Sequence, residues 1–357
     1  MSNILEILER SKSYLEKKNI EKPRLVAETI IAEVLQIDRI MIYAGFNREI
    51  TNTDKSLIRT KIVNIIDNDY SGIEVDNDNL KKILDKSIDY LLKNNIEEAK
   101  LIAEIIFSNV LNIDRMMLFT KHKDVLQEED INRIRMYLKK VAKEKFPVQY
   151  LLNEQEFYGR KFYVDKGVLI PRQDTEILVE KALEILKDIE NPKILDIGTG
   201  TGIIGITIAL ECESSKVIGI DISDKALEVS KRNKEVQKVK NIEFLKSNLF
   251  QNIEYKRFDM IISNPPYISE NEVILMSDDT LLHEPFEALF ASNEGLYFYY
   301  EISEKAIEYI ETGGYLIFEV GYNQGIIVKR IMQELGYKNV TVTKDISGYG
   351  RVVSGQK

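Results

Sequence analysis

The sequence predicts an α/β chain. Its C-terminal half should be a mostly parallel sheet covered by helices on both faces and ending in an antiparallel hairpin, preceded by two small all-helical modules. Three observations predict this. Beyond position 193, short apolar runs alternate with stretches of helical periodicity, the pattern of repeated strand–helix–strand units. Before position 146, apolar residues recur at helical spacing and strand-type alternation is absent. Residues 4–41, shifted by 76, lie over 80–117 with 19 of 38 positions identical, which marks one structural unit used twice.

The first module is read over 1–66 and its second copy over 80–145, each a bundle of three or four helices. In the second copy Leu84, Ile88, Leu91 and Leu92, then Leu101, Ile102, Ile105 and Ile106, carry the helical stripe. Residues 67–79, dense in Asp, Asn, Ser and Gly, read as a linker. Residues 146–173 alternate and contain Gly159 and Gly167, so they read as a β-hairpin linker. The sheet domain is placed at 174–357. It opens with an amphipathic helix over 174–187, for which Asp174 or Thr175 is the expected cap. Then follow a strand at 194–198, a helix at 202–211, a strand at 216–221 and a helix at 224–236. Strands at 242–246 and 258–263 come next, then a loop and a helix near 300–311. A strand at 315–321, a helix near 325–335 and strands near 339–344 and 350–353 complete the order. Only a short turn separates the last two, so they should pair antiparallel.

Composition narrows the function classes. The chain has 357 residues, 44% hydrophobic and 30% charged, enough to bury more than one core. No apolar run reaches membrane-spanning length, and the N-terminus carries acidic residues among its apolar ones with no cleavable-signal pattern, so a soluble, cytoplasmic protein is expected. A single cysteine, Cys212, and two histidines, His122 and His283, supply neither an internal disulfide nor a metal cluster, and no metal site is expected. Residues 1–150 hold 25 basic and 25 acidic residues, so the whole net charge of −9 lies in 151–357. That balance lacks the clustered positive charge of a duplex-gripping surface, and no direct duplex nucleic-acid partner is expected.

The segment Asp196-Ile197-Gly198-Thr199-Gly200-Thr201-Gly202 joins the first sheet strand to its helix. Glycines there let the chain turn sharply and bring backbone N–H groups against a ligand. Asp221 ends the next strand, where an acidic residue can accept from two ribose hydroxyls. Together they predict an adenosine-type cofactor across the strand ends of a Rossmann-like sheet. The loop alone leaves two cofactors open. Gly200, Gly202 and Gly205 satisfy a dinucleotide fingerprint, whereas the run beginning at Gly198 after Asp196 resembles the loop of S-adenosylmethionine-dependent methyltransferases, where the carboxylate faces the methionine end.

After the strand at 258–263 stand Asn264-Pro265-Pro266-Tyr267-Ile268. Two prolines fix φ and remove two N–H donors, so this corner is stiff and rich in carbonyl oxygens. It suits a planar NH2 group: Asn264 Oδ1 and the Pro265 carbonyl can each accept one hydrogen, and Tyr267 can stack on the plane. Holding both hydrogens aims the nitrogen lone pair at a third point, where a sulfonium methyl would sit. An amide nitrogen is a poor nucleophile, and in-line positioning can supply roughly 7–11 kcal/mol of the barrier. No strong base is required, because methylation makes the N–H acidic and a carbonyl can relay the proton.

With these residues the chain resembles the HemK/PrmC family of peptide chain release factor glutamine methyltransferases. The resemblance runs from about residue 78 to the C-terminus. It rests on Phe146-Pro147-Val148-x-Tyr150-Leu151, Phe157-Tyr158-Gly159, the stretch Val168 to Glu176, the glycine loop, Asn264 to Ile268, Glu284-Pro285, Ala288 to Phe290, Gly295-Leu296 and Gly313-Gly314. It implies a class I methyltransferase sheet, S-adenosylmethionine as cofactor, release factors as protein partners, and methylation of the glutamine side chain in their Gly-Gly-Gln motif. Asp196, Gly198, Thr199, Gly200, Thr201, Gly202 and Asp221 are implied to hold the methionine and ribose parts. Asn248 and Leu249 are implied to border the adenine, and Asn264 through Tyr267 to bind the glutamine amide, with Asn264 also near the cofactor. Two departures stand out. The family commonly has an acidic residue where Asn248 stands, often with an aromatic in place of Leu249, which implies a weaker adenine contact. It also usually has one helical module; the copy at 80–145 fits that role and the copy at 4–66 is extra. The tetrapeptide and glycine loop are shared with adenine-specific nucleic-acid methyltransferases, the alternative reading.

Overall fold

The structure of the chain, a computed structural model, describes residues 3–17, 22–37, 39, 41–44, 50–68, 79–254 and 257–357. It divides into two compact units, Met1–Leu138 and Lys139–Lys357.

The first unit is helical. Its first repeat holds α1 (Ile4–Lys17), α2 (Pro23–Leu35), α3 (Met41–Ala44) and α4 (Asn52–Asn68). The second holds α5 (Leu80–Lys93), α6 (Ala99–Leu111) and α7 (Arg115–Thr120), and continues into α8 (Glu128–Glu144), within which the division between units falls. Equivalent positions do equivalent work. Glu28 is buried and paired with Arg24 and Arg39; 76 positions on, buried Glu104 pairs with Lys100 and Arg115. Gln36 and Asn112 both end their helices in the left-handed region. Of the linker expected at 67–79, residues 69–78 lie outside those described. Residues 67 and 68 finish α4, while Asn79 caps α5 by accepting from the Lys82 backbone N–H and bridges to Val125.

After the end of α8, the second unit continues with α9 (Val148–Leu152), β1 (Glu154–Phe157) and β2 (Arg160–Tyr163), the last two an antiparallel pair. The paired strands take only 154–163 of the segment read as a hairpin linker at 146–173, residues 148–152 being helical, and the pair is not a free linker. Phe157 and Phe162 are fully buried in the same apolar cluster as Leu178, Ile206 and Ile262. The sheet region then runs α10 (Asp174–Leu186), β3 (Lys193–Ile197), α11 (Ile203–Glu211), β4 (Lys216–Asp221), α12 (Asp224–Val236), β5 (Ile242–Lys246) and β6 (Phe258–Ser263). A short 3-10 helix (Glu270–Leu275), α13 (Asp278–His283) and α14 (Phe286–Leu289) fill the expected loop. Then come α15 (Tyr297–Tyr309), β7 (Ile310–Glu319), α16 (Gly325–Glu334), β8 (Lys338–Lys344) and β9 (Gly350–Gln356).

Strand order is β5-β4-β3-β6-β7-β9-β8, with β3 to β7 parallel and β9 antiparallel to both β7 and β8. This is a class I methyltransferase sheet with its terminal hairpin. Two apolar clusters cover its faces, one around Leu178, Ile194 and Ile262, the other around Leu195, Ile261 and Phe318.

Three details depart from the sequence reading. β7 begins five residues early, because Ile310 already pairs with Phe258 and a bulge carries the register on to Tyr315 opposite Met260. A side chain at Gly314 would meet the Asp259 carbonyl oxygen at 2.8 Å, which keeps that position glycine. β9 runs three residues further, to Gln356, because it is flanked by strands on both sides. α10 is preceded by Gln173, which makes no side-chain cap; Asp174 instead pairs with Arg351 on β9 at 3.0 Å and Thr175 turns into the core.

Candidate active site

The topology creates the site before any side chain is considered. From β3 the chain moves outward to β4 and β5, then returns to β6 on the other side of β3, so a crevice opens at the carboxyl ends where the direction reverses. Ile197 of β3 is opposite Ile220 of β4 and Ser263 of β6, and Ser263 is opposite Phe318 of β7. The next residues therefore emerge side by side: Gly198, Asp221, Asn264 and Glu319.

Gly198, Gly200 and Gly202 all take left-handed φ, at 70°, 55° and 84°. A side chain at Gly198 would meet nothing within 4 Å, and one at Gly200 only the Gly198 carbonyl oxygen at 4.0 Å, so the loop presents bare backbone to open space. The opposite side is packed. Thr199 and Thr201 are buried, and a side chain at Gly205 would strike Ile242 at 2.8 Å. Asp196, fully buried, holds the loop from below: its Oδ2 accepts from Thr199 Oγ1 at 2.6 Å and from the Gly205 N–H at 3.1 Å. Its Oδ1 has no hydrogen-bond partner among the described residues. Burial raises this carboxyl to about 7, despite the Thr199 and Gly205 hydrogen bonds that favour its ionised form.

Asp221 Oδ2 accepts from the Gly200 N–H and Oδ1 from the Ser223 N–H, both at 2.9 Å. Burial shifts it upward as well. Each oxygen has a second lone pair, so the carboxylate can brace the loop and still accept from a ligand. Ser247 ties the next turn to this strand: its N–H donates to the Asp221 carbonyl, and its Oγ donates to the Leu249 carbonyl at 2.6 Å. Asn248 is exposed, and Leu249 has φ 48°, uncommon for a non-glycine residue. Both line a groove of about 450 Å³ with Tyr297, Glu301 and Lys305. The residues of the glycine loop do not line that groove, so the structure leaves Asn248 and Leu249 apart from Gly198 and Gly200 in this respect.

The Asn264–Tyr267 corner is held on both flanks. Ile268 donates to the Leu289 carbonyl and its own carbonyl accepts from Ala291, both at 3.0 Å. Gln324 Nε2 donates to the Tyr267 carbonyl at 2.9 Å, while Gln324 Oε1 accepts from the Gly321 N–H at 3.1 Å. A side chain at Gly295 would lie 2.1 Å from the Tyr267 carbonyl oxygen, so only glycine lets the corner sit there. Pro265 is buried, and Tyr267 is half-buried with its hydroxyl pushed upward mainly by desolvation, which keeps the phenol neutral. Asn264 Nδ2 donates to Thr175 Oγ1 at 3.3 Å.

Sequence reasoning did not single out Glu319, Gln324 or this use of Thr175. Glu319 is buried at the end of β7, with its carboxyl raised to about 7 by burial. The sequence carries no local signal for it, because only the sheet order brings the end of β7 beside Asn264. Glu176, His283 and Glu284 serve the fold instead. Glu176 accepts from the Tyr158 N–H at 2.7 Å and so fixes the hairpin turn. His283 packs on Phe146 and bonds the Glu144 carbonyl, and buried Glu284 binds the Ile170 N–H and Arg172.

A doubly wound sheet with a bare glycine loop and a proline-stiffened amide corner across its switch point defines a methyltransferase. Residues 173–298 match the Methyltransferase small domain family, and residues 6–64 and 82–152 each match the PrmC N-terminal domain. The release factor glutamine methyltransferase of Fusobacterium nucleatum is 40% identical over 91% of this chain and 94% of its own length. Its counterparts from Clostridium botulinum and Thermodesulfovibrio yellowstonii are 38% and 37% identical, over 78% and 74% of this chain and 99% and 93% of theirs. The chain belongs to the release factor glutamine methyltransferase family. Among the described residues no helix is long and apolar enough to cross a membrane.

Proposed function

We propose that this chain methylates the side-chain amide nitrogen of the glutamine in the Gly-Gly-Gln motif of peptide chain release factors, with S-adenosylmethionine as methyl donor. When bound, that donor supplies an electrophilic methyl carbon on a positively charged sulfur. The residues present fit it. Open space over Gly198 and Gly200 accommodates a ligand against backbone N–H groups, and the unpaired Asp196 Oδ1 suits a cationic amino end. Asp196 and the loop from Gly198 through Thr199, Gly200, Thr201 and Gly202 hold the methionine part. Asp221 accepts from the ribose, and Asn248 and Leu249 border the adenine.

Asn264 Oδ1 and the Pro265 carbonyl accept the two hydrogens of the glutamine NH2, Pro266 stiffens the corner and Tyr267 stacks on the carboxamide. The observation that carries this reading is that corner. It is braced from α16 through Gln324 and from the Ile268 bridge, and it stands one strand from the glycine loop. A braced acceptor pair loses little freedom when the amide docks, which is how positioning becomes rate. The test offers labelled S-adenosylmethionine to purified release factors and, separately, to DNA. Label on the release factor that disappears in Asn264→Ala supports the reading; label on DNA alone overturns it.

A further inference from the structure

We propose that Glu319, together with Thr175, is a positioning group that fixes which way the Asn264 amide faces; this rests on the function proposed above. Asn264 and Glu319 are the first residues beyond paired Ser263 and Phe318 on adjacent parallel strands. Glu319 is 3% exposed and Thr175 1%. Asn264 Nδ2 donates to Thr175 Oγ1 at 3.3 Å, and both side chains lie close enough to the Glu319 carboxyl to favour its ionised form.

Counting hydrogens makes the arrangement directional. An ionised carboxylate only accepts, a hydroxyl has one hydrogen to give and an amide nitrogen has two. Thr175 Oγ1 accepts one hydrogen of the Asn264 amide, which leaves the hydroxyl its own hydrogen and the amide its second; in the proposed arrangement the neighbouring Glu319 carboxylate takes both. The Asn264 Oδ1 is then the group left over, an acceptor available to the substrate amide. A flipped Asn264 would set Oδ1 against the acceptor-only carboxylate, so the ionised glutamate rejects the wrong orientation. Glu319 Oε2 has no hydrogen-bond partner among the described residues, so its burial is not explained by full satisfaction in the fold.

The charged and titratable groups facing Glu319 are Asp174 on α10, Arg351 on β9, Tyr267 on the corner and Tyr299 on α15. Its carboxyl is raised to about 7, chiefly by burial. Below that value it carries a hydrogen it can donate to Asn264 Oδ1, and the discrimination disappears. Turnover should therefore rise with pH through about 7.

The experiment uses the full chain and a purified release factor, with both substrates saturating, from pH 6 to 8.5. In Glu319→Gln the new amide can donate to Asn264 Oδ1, so both orientations are satisfied. The expected result is a fall in kcat of roughly 10- to 100-fold, with S-adenosylmethionine affinity and thermal midpoint unchanged and the pH step near 7 lost. Thr175→Ser should stay near wild type and Thr175→Val should lose kcat. If Glu319→Gln does not fold, Thr175→Val carries the test. Wild-type kcat and an intact pH step in Glu319→Gln overturn the proposal. So does a loss of kcat matched by equal losses in cofactor affinity and stability, the mark of a merely structural role. If the wild type labels no release factor, the functional reading fails instead. Positioning is then read from Asn264 side-chain amide exchange by NMR, slow in wild type and accelerated in Glu319→Gln if the proposal holds, equal in both if it does not.

Discussion

Asp196→Asn isolates the electrostatic cost built into the glycine loop. Asp196 has 0% exposure and its carboxyl rises from 3.8 to about 7, so the folded chain holds a proton that the unfolded chain has already released. The sign follows from proton binding. Between the ordinary carboxylate range and about 7 the folded state binds more protons, and stability falls as pH rises. One unit is worth about 1.4 kcal/mol, so between pH 5 and pH 8 this group alone removes about 3 kcal/mol from the unliganded chain. Asparagine can still accept from Thr199 and the Gly205 N–H through its amide oxygen, so the loop keeps its hydrogen bonds while the titration is removed. Equilibrium urea unfolding of both chains at the two pH values reads the slope rather than the absolute stability. The variant should lose much less stability than wild type across that interval. Some slope should remain, because Glu319 titrates over the same range. An unchanged slope in Asp196→Asn would mean that Asp196 does not take up a proton on folding in this range.

Three further outcomes follow from the same geometry. Asn264→Ala should reduce kcat by roughly 100-fold or more while leaving S-adenosylmethionine affinity within about twofold, measured by turnover and calorimetry. Gly295→Ala places a methyl 2.1 Å from the Tyr267 carbonyl at φ 79°, so it should displace the corner and lose both activity and more than about 1 kcal/mol of stability, read by turnover and urea midpoint. Gly205→Ala, which strikes Ile242 at 2.8 Å and approaches Asp196 Oδ2 at 3.1 Å, should destabilise by about 1–3 kcal/mol. Gly198→Ala meets nothing and should lose only about 1–2 kcal/mol through its backbone conformation; comparing the two urea midpoints checks the pair.

What could be read from the sequence was what local chemistry decides. β6 falls at 258–263 and α12 at 224–236, as their residues imply, because an apolar run ended by Asn264-Pro265 and a helix capped by Ser223 carry their own boundaries. The glycine loop and the amide corner were visible for the same reason, since their geometry is written in glycines and prolines. Features set by distant strands were not visible. The cap expected from Asp174 fails because that carboxylate is drawn to Arg351, which only the fold brings near. Glu319 ends an unremarkable strand until the sheet order places β7 beside β6. The early start of β7 depends on Phe258 as a partner and not on the composition of residues 310–314. One local signal was present and passed over: Ser269 and Glu272 form a reciprocal capping box, and the short helix there was read as loop.

Whether the Asn264–Tyr267 corner clasps a glutamine carboxamide beside the cofactor crevice is decided by a crystal structure of the chain with S-adenosylhomocysteine and a Gly-Gly-Gln peptide. The glutamine amide nitrogen should lie within hydrogen-bonding distance of both Asn264 Oδ1 and the Pro265 carbonyl oxygen, with the Tyr267 ring over its plane. A glutamine bound elsewhere, or Asn264 presenting its NH2 group to the amide nitrogen, would contradict it.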